Sequence, residues 1–233
     1  MTETFAVTNR RGKRQQIPDE VATYARELII SGAIRPGEFL RMDPIAETMG
    51  VSYTPVREGL LILEREGFVK MLPRRGFVVE SFTQQDVRDL FFAQAHLAGE
   101  LAARTAQKIT PEQVSTLQAL VEQYEKAAET GDEELLASLG HAFHREINLA
   151  ADSPRLTSLL GYMVKNLPNR FYTMIAGGVD SSRIEHPLLL EALRKHHVRK
   201  ARTLMEQHIL ARGDQLVAIL EERGIWNKDE PAS

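Results

Sequence analysis

Apolar positions near the start of the chain recur with the spacing of an α-helix. Four of them between positions 18 and 31 share one helical face. They are Val21, Ala25, Leu28 and Ile29. Gly32 ends this pattern, and Pro36 with Gly37 forms a turn. A shorter second helix then runs to Met49. The pattern therefore predicts two helices joined by a turn.

The stretch VSYTPVREGL, residues 51–60, predicts a third helix. Ser52 and Thr54 both suit its N-cap, and either choice places Pro55 in the first turn, where a missing N–H costs little. Apolar side chains recur at i, i+4 and i+7, at Val56, Leu60 and Leu63. This face is expected to pack on the first two helices.

A second face of the third helix carries Tyr53, Thr54 and Arg57. It begins at the helix N-terminus, where free backbone N–H groups and the helix dipole attract anions. In a helix–turn–helix pair, the second helix presents such side chains to base edges and phosphates in the major groove. The pattern therefore favours DNA recognition. The alternative for Arg57 is a surface salt bridge to Glu58 or Glu64.

After Gly67 the apolar spacing changes from helical to alternating, which is typical of strands. The runs FVKML and FVVES flank the turn PRRG, whose tip holds Arg74, Arg75 and Gly76. Three helices followed by a basic hairpin predict a winged helix–turn–helix domain over residues 18–81. A basic tail at residues 1–17 precedes it.

The remaining chain shows helical patterns only. Their predicted ranges are 84–107, 111–130, 133–151, 155–175, 182–196 and 198–223. The sequence TPEQ at 110–113 is a capping box with proline at the first helical position. Short connections between six helices predict a helical bundle over residues 84–223, with a C-terminal tail at 224–233. The fold class is therefore mainly α.

Composition narrows the class of protein. The 233 residues are 43% hydrophobic and 26% charged and include no cysteine, so disulfides and thiolate metal sites are excluded. No apolar run approaches the roughly 18 residues that a membrane span requires. The first 16 residues lack the apolar core of a secretory signal. We therefore expect a cytoplasmic protein without a membrane partner.

Three histidines are candidate metal ligands. His144, His186 and His208 fall on three different predicted helices, each beside apolar residues. If they converge in the bundle, they form a three-histidine site of the kind that holds zinc with an open position. Spacing alone leaves the alternative of ordinary core or surface histidines.

The first domain resembles a known family. The sequence IRPGEFL…IAETMGVSYTPVREGLLILEREGFVKMLPRRGFVV is similar to the DNA-binding domain of GntR-type bacterial transcription regulators, across roughly residues 18–80. The resemblance implies DNA contacts by Thr54 and Arg57, and by Arg75 with Gly76 in the wing. Tyr53 replaces the arginine usual in the family, which changes the expected operator.

Three further residues complete the expected DNA-contacting set. Ser52 opens the family motif and Arg74 shares the basic tip of the wing. Arg41 adds a candidate phosphate contact just before the second helix.

Residues 84–215 resemble the FCD effector domain of the FadR subgroup of this family. That resemblance implies an all-helical bundle that binds a small carboxylate effector and, as in many members, a divalent metal, for which we expect zinc or a similar ion. The three histidines match the family's histidine ligands, whereas Gly140 stands where the family has an aspartate. His141, three residues before His144, is either a fourth donor or a surface residue; the surface interpretation is favoured.

Recognition of the effector is harder to assign. The family often carries an arginine at the position of Gln94, so Arg170 becomes a candidate for the anion, beside Gln94 and the metal itself. The alternative to a metal is a polar pocket in which the histidines donate hydrogen bonds to the effector directly.

The leading hypothesis is a homodimeric regulator that binds a double-stranded DNA operator and responds to a small, carboxylate-type effector. One alternative is a metal-responsive regulator without an organic effector. Another is a zinc hydrolase, but the sequence has no H-E-x-x-H motif and no carboxylate placed as a general base. We therefore predict that the protein is not an enzyme.

Overall fold

The computed structural model describes residues 6–165, 180–222 and 226, and is mainly α-helical as predicted. It divides into two compact units, Met1–Thr83 and Gln84–Ser233. The second half of the helix expected at 155–175, most of the loop at 176–182 and nearly all of the tail at 224–233 lie outside the described residues. In the described part of the chain, no helix is long and apolar enough to cross a membrane.

The first unit holds three helices and a small sheet. In chain order these are α1 (Ala6–Ile30), β1 (Phe39–Leu40), α2 (Met42–Met49), α3 (Tyr53–Arg65), β2 (Val69–Leu72) and β3 (Gly76–Val79). The strands lie in the order β1-β3-β2, and both pairings are antiparallel. The predicted hairpin is thus present, with β1 added at its edge.

Two features of this unit differ from the sequence prediction. Helix α1 begins at Ala6, so residues 6–17, expected as a basic tail, are helical; alanine, arginine, lysine and glutamine there are good helix formers. Strand β1 was not predicted, because its two residues become a strand only through pairing with Phe77 and Val78 of β3.

The predicted apolar face of α3 packs inward. Val56, Leu60 and Leu63 are fully buried. Gly59 lies on the same face, where an added Cβ would come within 2.6 Å of Val21 Cγ1. Because no side chain separates the helices at this point, α3 lies close against α1. That contact turns the opposite face of α3 outward.

A buried ion pair also joins α1 to the end of α3. Arg26 Nη2 donates to Glu66 Oε2 at 2.5 Å, and both side chains are almost fully buried. The guanidinium also lies 5.7 Å from the centre of the Phe68 ring. Burial raises the pKa of Glu66, and the hydrogen bond from Arg26 opposes that shift. Removing one partner would leave an uncompensated buried charge.

Six helices are described in the second unit. We number them α4 (Gln84–Lys108), α5 (Pro111–Thr130), α6 (Glu133–Ala150), α7 (Pro154–Lys165), α8 (Asp180–Arg194) and α9 (Val198–Glu222). The capping box before α5 forms as predicted, since Thr110 and Gln113 exchange side-chain-to-backbone hydrogen bonds. Asp132 caps α6 through the N–H of Leu135.

Helices α4 and α9 pack along their lengths through two glycines. An added Cβ at Gly213 of α9 would lie 2.7 Å from Phe91 Cβ, and one at Gly99 of α4 would lie 2.5 Å from Glu206 Cγ. Such distances are closer than a real Cβ tolerates. Phe91 Cβ is fixed to its backbone, so the absence of a side chain at Gly213 sets the spacing of the two helices, whereas the Glu206 side chain at Gly99 is flexible.

Gly213→Ala is expected to destabilise the protein by about 1–3 kcal/mol, because the methyl group overlaps Phe91 across this contact. The matched control is Gly161→Ala in α7, where an added Cβ meets open space. That change should stabilise the helix by about 0.5–1 kcal/mol. Urea unfolding of the two variants measures the two changes in the free energy of unfolding. Equal stabilisation by Gly213→Ala and Gly161→Ala would contradict the close packing.

Candidate functional site

The N-terminal end of α3 is exposed on the face predicted to meet DNA. Ser52, not Thr54, occupies the N-cap position in an extended conformation, although its side chain makes no capping hydrogen bond. The side chains of Tyr53, Thr54 and Arg57 are also exposed. Three side chains and a helix N-terminus are therefore presented together on the surface of this unit.

Tyr53 is tied to the preceding helix. Its hydroxyl donates a hydrogen bond to Asp43 Oδ1 in α2, and this bond raises the pKa of the phenol. The ring remains 55% exposed. An arginine at this position would bring a positive charge and a fork of donors, whereas the tyrosine brings a flat, neutral surface held in place by Asp43.

The wing also presents basic side chains. Arg74 adopts a left-handed backbone (φ 65°) and Gly76 a still more positive φ of 101°, so the hairpin turns sharply between β2 and β3. Both arginines at the tip are exposed. The guanidinium of Arg75 lies 5.0 Å from the centre of the Phe39 ring, so the short strand β1 supports the wing. Arg41, at the start of α2, is exposed as well.

The three predicted histidines converge inside the second unit. His144 of α6, His186 of α8 and His208 of α9 each offer a ring nitrogen, and these atoms all lie within 4.8 Å of one another. The closest approach joins His144 Nε2 and His208 Nε2 at 3.0 Å. His186 and His208 are buried and His144 is half-buried. We call these three residues the histidine cluster.

Burial keeps the histidine cluster neutral. The pKa values of His144, His186 and His208 all lie below the ordinary imidazole value, chiefly because burial penalises the charged form. Glu185 Oε2 lies 2.6 Å from His208 Nδ1. We assign the proton to Nδ1, which then donates to the carboxylate and leaves the Nε2 lone pair facing the other rings.

The cluster fits a borderline divalent cation such as Zn²⁺. Among the described residues, His144 Nδ1 and His186 Nε2 are buried nitrogens without a hydrogen-bond partner, so the protein alone leaves them unsatisfied. Neutral imidazoles are good zinc ligands, and a carboxylate that accepts the second N–H of a ligand orients the ring. Glu185 stands in that relation to His208.

The cluster lines a cavity of about 120 Å³ between the helices. Much of the remaining wall is apolar, including Phe91, Leu136 and Leu160. Gly140 leaves space, because a Cβ there would meet only Tyr124 Cε2, at 3.9 Å. Position 140 thus supplies no carboxylate, and the cavity extends where such a side chain would stand.

Of the two residues predicted to bind the effector, Gln94 lines the cavity and Arg170 lies outside the described residues. Gln94 is only 3% exposed, and its Nε2 has no partner in the described part of the chain. The favoured surface position for His141 is wrong, because this residue is half-buried and also lines the cavity. Its helix turns it inward beside His144.

Arg212, a buried residue of the cavity wall, was not among the predicted site residues. Its position four residues after His208 places both side chains on one face of α9, and this spacing was the signal available in the sequence. Burial lowers its pKa, and Glu185 nearby partly opposes that shift.

Comparisons with known proteins match each unit to a family. Residues 18–79 match the bacterial regulatory proteins of the gntR family, and residues 89–211 match the FCD domain. The chain is 26% identical to the HTH-type transcriptional regulator YdhC of Bacillus subtilis over 80% of this chain and 83% of that protein. It is 29% identical to the HTH-type transcriptional regulator McbR of Escherichia coli over 55% of this chain and 58% of that one.

A solved structure of a relative has the same fold as this chain. E. coli McbR/YncC covers 90% of this chain and 97% of its own, with a TM-score of 0.62 and 24% identity. The relatives are regulators of transcription rather than enzymes, which removes the hydrolase alternative. Because the FCD match covers more than half of the chain and the gntR match covers its winged domain, this protein belongs to the gntR family of DNA-binding transcriptional regulators, with an FCD domain as its second unit.

Proposed function

We propose that the affinity of this regulator for an operator changes when a small carboxylate binds in the cavity of the FCD domain, beside a divalent metal held by the histidine cluster. The observation that carries the proposal is the convergence of three neutral imidazoles on one cavity, two of them with unsatisfied buried nitrogens. When bound, zinc would supply a Lewis-acidic centre that attracts the anion.

The charge of the site supports an anionic effector. The cluster contributes three neutral ligands, and no carboxylate belongs to the group of ligand atoms found among the described residues. A divalent ion held there keeps more of its positive charge than one bound by an acidic side chain. A carboxylate would therefore bind more tightly with the metal present, and by linkage the metal would bind more tightly with the carboxylate.

On the DNA side, we propose that Arg57, Arg74, Arg75 and Arg41 pair with phosphates. Ser52, Tyr53 and Thr54, with Gly76 of the wing, would touch base edges or approach the backbone closely. Two chains would pair as a homodimer, so that two recognition helices read half-sites about one DNA turn apart. Effector binding would shift the population of arrangements that fit the operator. Such a regulator would act in the cytoplasm, where bacterial DNA lies.

Arg57→Ala should weaken operator binding by at least about tenfold per half-site, because it removes a hydrogen bond to a charged group, worth about 1.5–3 kcal/mol. The control is Arg65→Ala, an exposed arginine at the far end of the same helix, which should bind normally. Fluorescence anisotropy with a DNA site selected from a random pool measures both. Equal affinity of the Arg57 variant and the wild type would refute recognition by this end of α3.

Alanine at any one of the three cluster histidines should reduce zinc affinity by more than about 100-fold. Even a residue that only hydrogen-bonds to a metal ligand changes metal affinity by about 10–100-fold when it is mutated. Glu185→Gln should lower it by about 10–100-fold. His197→Ala, at an exposed position, is the control. Competition with a chromophoric chelator reports the affinity, and unchanged binding in the cluster variants would exclude the site.

The pH dependence of stability offers a second check on the cluster. The pKa values of these histidines lie below the ordinary 6.5 in the folded protein, so below about pH 6.5 the unfolded chain binds protons that the folded chain does not. The free energy of unfolding is therefore unaffected by the titration of these groups above about pH 6.5 and decreases as the pH falls toward the lowered values. In chelator-treated protein, His186→Phe should therefore lose less stability between about pH 8 and about pH 5.5 than wild type. His197→Ala should behave as wild type, and an identical slope in all three proteins would contradict the burial argument.

A metal-responsive regulator without an organic effector is the remaining alternative. DNA affinity measured with zinc alone, with a carboxylate alone and with both separates the two functions. A full response to zinc alone would favour the metal sensor, whereas a response that requires the acid would support the proposal.

A further inference from the structure

Arg212 is a buried cation in the wall of the cavity. Its residue exposure is only 9%, and it follows His208 by one turn of α9. Nη1 donates to Gln215 Oε1 at 3.1 Å, and Nη2 donates to the hydroxyl of Ser182. Both acceptors are uncharged, so these bonds hold the guanidinium in place without neutralising it.

The charge of Arg212 is incompletely matched. Among the described residues, its carboxylate partner is Glu185, whose Oε2 lies 3.8 Å from Nη2, beyond hydrogen-bond distance. The same oxygen accepts the hydrogen bond of His208 Nδ1 at 2.6 Å. Burying a charge without a hydrogen-bonded counter-ion is costly. The cavity wall therefore contains a cation whose ion pair with Glu185 is long and shared with His208.

A second, independent observation comes from the facing helix. Gln94 of α4 is 97% buried, lines the same cavity and has no partner for its Nε2 among the described residues. An amide N–H₂ requires acceptors, and buried donors without them are rare in proteins. An anion that enters between Arg212 and Gln94 would satisfy both groups at once.

We propose that Arg212 is the residue that recognises the effector, with its guanidinium pairing with the carboxylate of a short acid and the hydroxyl of Ser182 fixing the orientation of that guanidinium. The planar fork of an arginine matches a carboxylate with two parallel hydrogen bonds. Gln94 donates to an oxygen of the same ligand, and the acid's aliphatic part lies on Phe91 and Leu160. This inference rests on the proposed effector function and names the residue behind it.

The cavity limits the size of the acid. Its volume of about 120 Å³ is somewhat smaller than a cavity of roughly 150 Å³ that holds benzene. Acids of two to about four carbon atoms suit this space, and a long fatty chain does not. The probes for the test are therefore acetate, propionate, butyrate, lactate and succinate.

Isothermal titration of these five acids into the full-length, zinc-loaded protein tests the proposal. At least one acid should bind, and Arg212→Gln should weaken its binding by about 10- to 100-fold, the range for a hydrogen bond to a charged group. Arg212→Lys keeps the positive charge but loses the planar pair of donors, so its affinity for the acid should lie between those of wild type and Arg212→Gln. Arg199→Gln, an exposed arginine on the same helix, should match wild type.

Thermal unfolding separates recognition from a structural role. Without acid, Arg212→Gln should melt no lower than wild type, because the lost charge was poorly paired. The rise in melting temperature on adding the acid should disappear. A lower melting temperature together with unchanged acid affinity would make Arg212 structural and would overturn the proposal.

Two further outcomes are decisive. If none of the five acids binds wild type, or if a bound acid binds the Arg212→Gln variant within about twofold, the inference fails. Failure of the proposed function gives a different result. If an acid requires Arg212 for binding and yet leaves DNA affinity unchanged, regulation by the acid is refuted, whereas recognition of the acid by Arg212 stands. Zinc affinity, measured in the same variant, should be no lower than in wild type, because the change removes a positive charge from the wall of the same cavity.

Discussion

The close packing of α4 against α9 is the constraint on which the FCD domain depends. Gly99 and Gly213 let the two helices approach to distances at which a Cβ would overlap its neighbour. Helix α9 carries His208 and Arg212, and α4 carries Gln94, so this spacing sets the distance across the cavity.

The polar site is held in an otherwise apolar bundle at a cost in stability. Buried imidazoles, an amide and a guanidinium all lose their hydration, and the described protein atoms satisfy them only in part. Proteins accept such local costs where binding recovers them. Here the unsatisfied nitrogens and the weakly paired Arg212 converge on one cavity, which is the pattern expected of a site completed by its ligands.

In the DNA-binding unit, close packing on one face of α3 determines which side chains lie on the surface. The inner face of α3 is fixed by Gly59 against α1 and by the buried pair Arg26–Glu66, so its outer face is exposed. Tyr53 is an exception, because its hydroxyl is already committed to Asp43. The surface proposed to meet DNA thus combines exposed arginines, one of them beside the Phe39 ring, with an aromatic ring held by Asp43.

Periodicity and local chemistry in the sequence determined most of the helices, the hairpin of the wing and the capping box at Thr110, because these depend on residues a few positions apart. The inward face of α3 followed from the same spacing. Tertiary structure alone decided the rest. Strand β1 exists only through pairing with β3, and His141 points inward only because α6 packs as it does. Glu185 precedes His186 in the chain yet contacts His208, on another helix. The convergence of three histidines, and the contact of Arg212 with Ser182, depend on residues tens of positions apart, which local patterns do not encode.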